Sequence, residues 1–267
     1  MIRDITIGQY FPGKSALHRL DPRTKILATF AFIIYLFVSN SFTGLIIGGV
    51  FALMCYVIAK IPLKIIFRSL KPIVPIIVFT AVLNMFFMDG DVILKLGFLK
   101  ITSQGIRNAV FMCMRIVFLI IGSTLLTYCT SPIALTDAIE RLLKPLAKIK
   151  MPVHELAMMM TIALRFIPTL IEETDKIMSA QKARGADLET GGVIEKAKAL
   201  IPILIPLFVS SFRRADELAM AMECRCYHGG EGRTRMKQLH FSIRDLVALF
   251  VFAGLFAVTI ALNIYVG

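Results

Sequence analysis

Residues 42–59 read FTGLIIGGVFALMCYVIA, an unbroken run without a charged side chain. A helix needs about 20 predominantly apolar residues to cross the roughly 30 Å hydrocarbon core of a bilayer, so this run predicts a membrane span. Four further spans are predicted over residues 26–38, 72–88, 109–127 and 246–266. The shortest, 26–38, reaches the required length when Thr24, Lys25 and residues 39–41 lie at the interfaces, where lysine can snorkel.

The composition also indicates an integral membrane protein. Hydrophobic residues make up 57% of the 267 residues and the mean hydropathy is +0.76, whereas soluble domains contain about 45–50% apolar residues. The number of cysteines is odd, and Cys55, Cys113 and Cys129 fall within or at the ends of predicted spans, so no disulfide framework is expected. The predicted fold class is an all-α membrane protein with about five transmembrane helices.

The net charge of +12 indicates orientation rather than nucleic-acid binding, because the basic residues cluster beside particular membrane ends. Residues 1–25 carry five Lys or Arg side chains, and residues 60–71 carry four with no acidic residue. Cytoplasmic loops carry such an excess, so we predict a cytoplasmic amino terminus and an external carboxyl terminus. Three segments follow from this: residues 1–129 with a cytoplasmic amino-terminal segment and four spans, a cytoplasmic module over 130–244, and the last span over 245–267.

The cytoplasmic module is predicted to contain three amphipathic helices, two of them long. The first begins at Pro132, the second follows Pro152 and runs to Arg184, and the third begins near Val193. In the second helix, apolar residues recur at three- and four-residue steps, as expected for one buried face.

The third helix contains an ambiguous stretch, residues 200–212, which carries no charge and includes Pro202 and Pro206. It is too short to cross a bilayer. We predict a helix against the bilayer surface or under the spans, in which neighbours satisfy the backbone groups that the prolines leave free. A seven-span arrangement that uses residues 156–171 and 200–212 remains an alternative.

Two stretches of the module end in the same way, one running from Asp175 to Arg184 and the other from Asp216 to Arg225. In each, an acid lies nine positions before the arginine and an alanine lies four positions before it. The spacing predicts that both arginines lie at the tips of helices. Guanidinium offers a rigid fork of donors that matches carboxylates, so two similar cationic tips predict docking onto two similar partners. The flanking residues included in this predicted docking site are Ala183, Gly185, Cys224 and Cys226.

Motifs for catalysis and metal binding are incomplete. Residues 8–15 match the phosphate-binding loop formally, but only seven residues precede them and a span begins near Ile26, which leaves no room for a nucleotide domain. His154 and Glu155 begin a zinc-protease motif, in which Met158 stands where the second histidine is required. We therefore expect no enzymatic activity, and no cofactor or metal bound by this chain.

A third metal motif is equally incomplete. Cys224, Cys226 and His228 alternate and could supply three soft ligands, but a closed zinc site needs four. Chance proximity beside Arg225 is the favoured interpretation.

Two features within the spans allow more than one interpretation. Arg115 is either functional, as charges inside a membrane often are, or placed to snorkel or to bind a backbone carbonyl. Gly44, Gly48 and Gly49 allow a close helix approach, for which internal packing is favoured over contact with a partner subunit.

Several motifs together resemble the transmembrane T subunit of energy-coupling factor transporters, a family related to the CbiQ-type cobalt transporter subunit. The resemblance covers nearly the whole chain. It is carried by residues 8–13 (GQYFPG), 17–25 (LHRLDPRTK), 183–185 (ARG), 221–227 (AMECRCY) and 232–234 (GRT). The second signature departs from the usual Ala-Arg-Gly, because cysteines flank Arg225.

The resemblance implies a scaffold and coupling subunit of an ATP-driven vitamin or metal importer in the bacterial cell membrane. Its partners would be two ABC-type ATPases, which would bind the ATP and Mg²⁺, and a small substrate-binding membrane protein, the S component. Each arginine tip would sit in a groove of one ATPase, and the two long coupling helices would cross. The alternative is a permease that forms its own translocation path beside ABC ATPases.

The same resemblance implies an apolar coupling surface that helps to reorient the S component. The residues assigned to it are Met158, Met159, Met160, Pro202 and Pro206. Methionine suits surfaces that accept several differently shaped partners, although it also fills ordinary cores.

Overall fold

The computed structural model describes residues 10–88, 91–96, 99–186, 192–230 and 238–266. In these residues the regular secondary structure is helical apart from one short antiparallel hairpin, β1 (Val92–Leu96) with β2 (Leu99–Thr102). The α-helices are α1 (Pro22–Val38), α2 (Phe42–Ala59), α3 (Leu63–Leu70), α4 (Val74–Phe87), α5 (Ser103–Cys129), α6 (Pro132–Leu143), α7 (Val153–Ala183), α8 (Val193–Glu223) and α9 (Ile243–Val266). Short 3₁₀ turns cover Lys71–Ile73 and Lys144–Ile149.

Five helical stretches in the described part of the chain are long and apolar enough to cross a membrane: Phe42–Ala59, Lys64–Phe86, Ser103–Cys129, Val153–Ala183 and Ile243–Ala261. The predicted number of about five membrane-spanning helices is therefore confirmed, but the helices that qualify are not all the predicted ones. With 17 residues, α1 is shorter than each of these stretches, whereas α7, predicted as a cytoplasmic helix, is among them. The apolar part of α7 ends at Ile171, since its remainder carries Glu172, Glu173, Asp175, Lys176 and Lys182.

The ends of the spans correct the prediction in the segment between the third and fourth spans. The predicted spans 72–88 and 109–127 leave only a connection between them, but β1 and β2 pair there, and α5 begins at Ser103 rather than at Ala109. The hydroxyl of Thr102 accepts a hydrogen bond from the backbone N–H of Gly105 at 3.1 Å, which satisfies one free donor at the helix start.

One compact unit comprises residues 8–138 and 239–267, and its core is built around two tyrosines. Tyr35 and Tyr56 are completely buried, and their hydroxyls donate to the carbonyls of Gly44 at 2.7 Å and Ile121 at 3.0 Å. A side chain at Gly48 would collide with the Tyr35 ring. The close helix approach at these glycines is therefore internal packing, as favoured from the sequence.

Arg115 lies inside the same unit and is bound to a carbonyl. Its Nη2 donates to the backbone oxygen of Ser39 at 2.9 Å, and its guanidinium lies 4.7 Å from the centre of the Phe111 ring. The structure thus supports the carbonyl-bound interpretation of this charge. Cation–π contact with the ring offsets part of its desolvation.

The LHRLDPRTK segment joins the start of α1 to the start of α9. Asp245 is 2% exposed, and its carboxylate accepts the backbone N–H groups of Asp21 and Ser242, each at 2.8 Å. Arg23 pairs with Asp21 at 2.8 Å. The bond from the Asp21 N–H to the buried Asp245 carboxylate joins the two segments, so it fixes the start of α1 against the start of α9.

The other compact unit contains residues 139–238, with α7 and α8 as its long helices. Both have 31 residues, and α8 continues through Pro202 and Pro206 without a break. Pro206 has no N–H for the carbonyl of Pro202, and Gln181 of α7 supplies the missing donor through Nε2 at 3.2 Å. The prediction that a neighbour satisfies these backbone groups is confirmed at this carbonyl.

Candidate docking and coupling surface

The two predicted tips have the same backbone geometry. At the end of α7, the N–H of Ala186 donates to the carbonyl of Gln181 at 3.0 Å and that of Gly185 to Lys182 at 3.0 Å. These two bonds define a Schellman motif, in which the residue before the left-handed position is the C-cap. Arg184 occupies that C-cap position and is exposed to solvent.

The end of α8 repeats this pattern. The N–H of Tyr227 donates to the carbonyl of Met222 at 3.1 Å, and that of Cys226 donates to Glu223 at 2.8 Å. Arg225 therefore occupies the same C-cap position as Arg184, and it is exposed as well. The sequence prediction that both arginines lie at helix tips is borne out by this geometry, which presents two guanidinium groups from equivalent backbones.

The departure from Ala-Arg-Gly at the second tip now has a structural description. Gly185 has φ +85° and Cys226 has φ +53°, so Cys226 adopts the left-handed conformation that glycine normally supplies. Both Cys224 and Cys226 are exposed, as is Ala183. The cysteine keeps the motif intact but costs roughly 1–2 kcal/mol for the Cβ in this conformation.

The Schellman motif alone does not distinguish a docking site. The motif also ends α2, where Lys60 has φ +57° and the N–H of Ile61 donates to the carbonyl of Tyr56 at 3.2 Å. There, the C-cap residue is Ala59, which is buried. What sets the two tips of α7 and α8 apart is an exposed arginine at the C-cap.

The two arginines lie far apart. Gln181, three residues before Arg184, contacts Pro202 of α8. Pro202 lies 23 residues before Arg225, about 35 Å at a helical rise of 1.5 Å per residue. The two tips therefore present two separate cationic points rather than one site.

A polar contact holds α7 against α8. Arg214 donates through Nη2 to Glu173 Oε2 at 2.7 Å, and the hydroxyl of Ser210 donates to the other oxygen of the same carboxylate. With Gln181 and Pro202, these contacts define an antiparallel pairing of the two helices.

A large apolar surface lies exposed on α7 and α8. Met159 and Met160 of the predicted coupling surface are exposed, Met158 is half-buried, and Pro202 and Pro206 are exposed. Other exposed apolar side chains on these helices are Leu156, Ile167, Leu204, Ile205, Phe208, Val209 and Phe212. Exposed apolar side chains in this number indicate contact with a partner or with a membrane.

The incomplete metal motifs gain no support. No group of three His, Cys, Asp or Glu side chains that could hold a metal ion occurs among the described residues. His154, from the partial zinc-protease motif, instead lies 3.0 Å from Glu140 through Nδ1.

Sequence reasoning missed the polar residues that join the helices. The sequence did not identify Glu173, Ser210, Arg214 or Gln181 as contacts between the two helices. A single charged residue on a solvent-facing helix is common, so nothing in the sequence identified its partner. Pro206 was the one available signal, because a proline inside a helix leaves a carbonyl that needs a donor from elsewhere.

The apolar spans define a multi-pass membrane protein with a module of two long helices. The family model "CbiQ: Cobalt transport protein" matches residues 13–236. A relative from Thermosediminibacter oceani, the "Energy-coupling factor transporter transmembrane protein EcfT", is 58% identical over 257 residues, which are 96% of this chain and 97% of its own length.

Two further relatives carry the same description. The one from Clostridium kluyveri is 58% identical over 269 residues and covers 100% of both chains. The one from Bacillus subtilis is 47% identical over 259 residues, 96% of this chain and 98% of its own. The chain therefore belongs to the EcfT family, the transmembrane T subunits of energy-coupling factor transporters. It is a transporter component of the membrane and a member of a complex with other subunits.

Proposed function

We propose that this chain transmits movement from two ABC-type ATPases to a substrate-binding S component, in a vitamin or metal importer. The observation that carries the proposal is the repeated helix end, in which Arg184 and Arg225 occupy equivalent exposed C-cap positions. Two equivalent points about 35 Å apart suit two similar partners better than one. Hydrolysis of ATP, with the Mg²⁺ that it requires, would take place in those partners, while this chain has no catalytic role of its own.

Each arginine would bind a carboxylate in a groove of one ATPase. The helix C-terminus carries a partial negative charge, which favours a cation at this position, and the Schellman motif fixes the backbone that carries it. A guanidinium that is bidentate to a carboxylate resists small rotations, so the contact can transmit force. Loss of either arginine would cost about 2–5 kcal/mol, as for other buried interface charge pairs.

The exposed apolar surface on α7 and α8 would contact the S component. Met159, Met160 and Phe208 offer flexible or aromatic contacts without charges, which suits a partner that moves within the bilayer. In this arrangement α7 and the uncharged middle of α8 lie at the cytoplasmic face, with the amino terminus of the chain inside and the carboxyl terminus outside. The charged second half of α7 disfavours a full crossing by that helix.

A permease with its own translocation path has less support. Three polar side chains in the described spans are bound to backbone carbonyls: Asn84 to Thr80, Arg115 to Ser39 and Asn263 to Val38. Side chains engaged in this way are poorly placed to line a polar pathway.

The test is ATP-driven uptake by the complete transporter with Arg184→Ala, Arg225→Ala and both together. We expect each single variant to reduce uptake and the double variant to abolish it, with normal amounts of protein in the membrane. Arg213→Ala is the matched control, because Arg213 is also an exposed arginine of α8 but does not cap a helix. Undiminished uptake by the double variant, or an equal loss in the control, would refute the docking role.

A further inference from the structure

An apolar cavity of about 400 Å³ lies between α1, α2, α5 and α9. These helices belong to the compact unit of residues 8–138 and 239–267, the membrane unit. Along α1 its lining extends from Thr24 to Phe32, eight residues or about 12 Å of helix. Along α9 it extends from Ile243 to Phe252. The volume and the apolar lining are those of a ligand pocket, and such a lining gives water few hydrogen-bond partners.

The two ends of this cavity differ in chemistry. Phe32, Phe51 and Phe252 line the deep end, whereas Lys25 and Arg244 lie in the first turns of α1 and α9 at the other end. The cavity itself is apolar, with aromatic rings inside the bundle and two basic residues at its edge.

One acid near these cations is paired and the other keeps its charge. Asp21 pairs with Arg23, whereas Asp245 accepts two backbone N–H groups, which satisfy its hydrogen bonds without cancelling its negative charge. Lys25 donates through Nζ to the carbonyls of His18 at 3.1 Å and Cys129 at 2.8 Å, which satisfy its hydrogen bonds without cancelling its charge. In the described part of the chain, Arg244 has no carboxylate within ion-pair distance.

A buried hydroxyl at the same end also lacks a partner. Thr24 lines the cavity and is 6% exposed, yet its Oγ1 makes no hydrogen bond among the described residues. By contrast, the hydroxyl of Thr29, which lines the cavity one turn further on, donates to the carbonyl of Lys25 at 2.9 Å. Buried polar groups are nearly always satisfied, so Thr24 indicates a missing hydrogen-bonding group at this end.

We propose that this cavity binds one anionic phospholipid from the surrounding bilayer. One acyl chain fills the apolar part between Phe32, Phe51 and Phe252. The phosphate lies at the edge, next to Arg244 and Lys25, and the hydroxyl of Thr24 donates to a headgroup or ester oxygen. The bilayer is the source because the cavity lies between helices that meet lipid. The anionic class follows from the one net positive charge that Lys25, Arg244 and Asp245 leave at this end.

The absence of tryptophan from this chain gives a direct test. In the full chain, Phe252→Trp places a single fluorophore at the cavity, and Phe250→Trp places one on the exposed face of the same helix, where residue 250 is 67% exposed. Each variant is reconstituted in phosphatidylcholine vesicles that contain brominated phosphatidylglycerol or brominated phosphatidylcholine, whose tails quench tryptophan on contact.

At position 252, brominated phosphatidylglycerol is expected to quench at a roughly fivefold lower mole fraction than brominated phosphatidylcholine. This factor corresponds to about 1 kcal/mol for one net positive charge near an anionic headgroup. At position 250 the two lipids are expected to quench alike. Arg244→Gln in the Phe252→Trp background should bring the ratio at position 252 close to one. Ala28→Phe, which fills the cavity from α1, should protect the tryptophan at position 252 from both lipids.

Equal quenching by the two lipids at position 252, or a ratio that Arg244→Gln leaves unchanged, would overturn the proposal. Absence of quenching at position 252 would show that lipid does not enter the cavity, which would also overturn the proposal. If Phe252→Trp fails to fold, Phe51→Trp reports from the facing helix with the same expected ratio, because Phe51 lines the cavity and packs 5.1 Å from the ring of Phe252.

Discussion

Each helix tip has one residue in the left-handed conformation, Gly185 after α7 and Cys226 after α8. Gly185→Ala should destabilise the first tip, whereas Cys226→Gly should stabilise the second. Gly185→Ala adds a Cβ at φ +85°, and no atom lies within 4 Å of that position, so the whole cost comes from the backbone. A Cβ in the left-handed conformation costs about 1–2 kcal/mol, and the stiffer unfolded chain returns about 0.4–1 kcal/mol. The net destabilisation is therefore about 0.5–1 kcal/mol, and Cys226→Gly should stabilise the end of α8 by a similar amount.

Hydrogen exchange of backbone amides in the purified transporter measures this difference locally. Gly185→Ala should speed exchange at residues 184–186 roughly two- to fivefold, since about 1.4 kcal/mol corresponds to a factor of ten. Cys226→Gly should slow exchange at 225–227 by a similar factor. Gly192→Ala is the control, because Gly192 also has open space but a φ of −72°, and exchange at 184–186 should not change. Faster exchange in Cys226→Gly would refute the assignment of equivalent Schellman motifs.

Two further predictions concern the contacts that hold each unit together. Glu173→Gln should weaken the pairing of α7 with α8 by about 0.2–1 kcal/mol, because the Glu173–Arg214 pair is partly exposed. A double-mutant cycle with Arg214→Gln measures the coupling energy between the two side chains. Additive effects of the two substitutions would contradict the pairing. Asp245→Asn should destabilise the membrane unit by about 1–3 kcal/mol in thermal unfolding in detergent, since one of two backbone donors loses its acceptor. Asp216→Asn replaces an exposed acid on α8 and should leave the unfolding midpoint unchanged. An equal shift of the midpoint in both variants would disprove the role of Asp245.

Most spans could be predicted from the sequence because crossing a bilayer imposes a simple length rule on apolar runs. The rule worked least well for α1 and α7. α1 is short and depends on polar residues at its ends, whereas α7 combines an apolar first half with a charged second half. Hydropathy averages over such halves, so it cannot tell a crossing helix from an amphipathic helix that lies beside the membrane. The hairpin before α5 was missed because its two strands are only five and four residues long.

The helix tips were predictable to different degrees. Gly185 predicts the end of α7, because glycine is the usual left-handed residue beyond a helix C-terminus. At the second tip, cysteine stands in that position, and its intrinsic preference gives no such signal. The equivalence of the two tips was visible only through the shared spacing of acid, alanine and arginine. The polar contact between α7 and α8 could not be predicted, because it joins residues about 40 positions apart with no pattern that links them.

The contact between Glu173 and Arg214 allows binding of the partners to be distinguished from transmission of movement between them. If each tip binds a partner, movement at Arg184 can reach the rest of α8 through the antiparallel contacts at Gln181–Pro202 and Glu173–Arg214. A rigid pair of helices transmits a displacement only while such contacts hold, because separate helices would move independently. Loss of the arginines should therefore reduce binding of the ATPases, whereas loss of Glu173 should leave their binding intact and reduce uptake per ATP hydrolysed. If the proposed docking holds, coupling would depend on the pairing that positions the two distant tips as well as on the tips themselves.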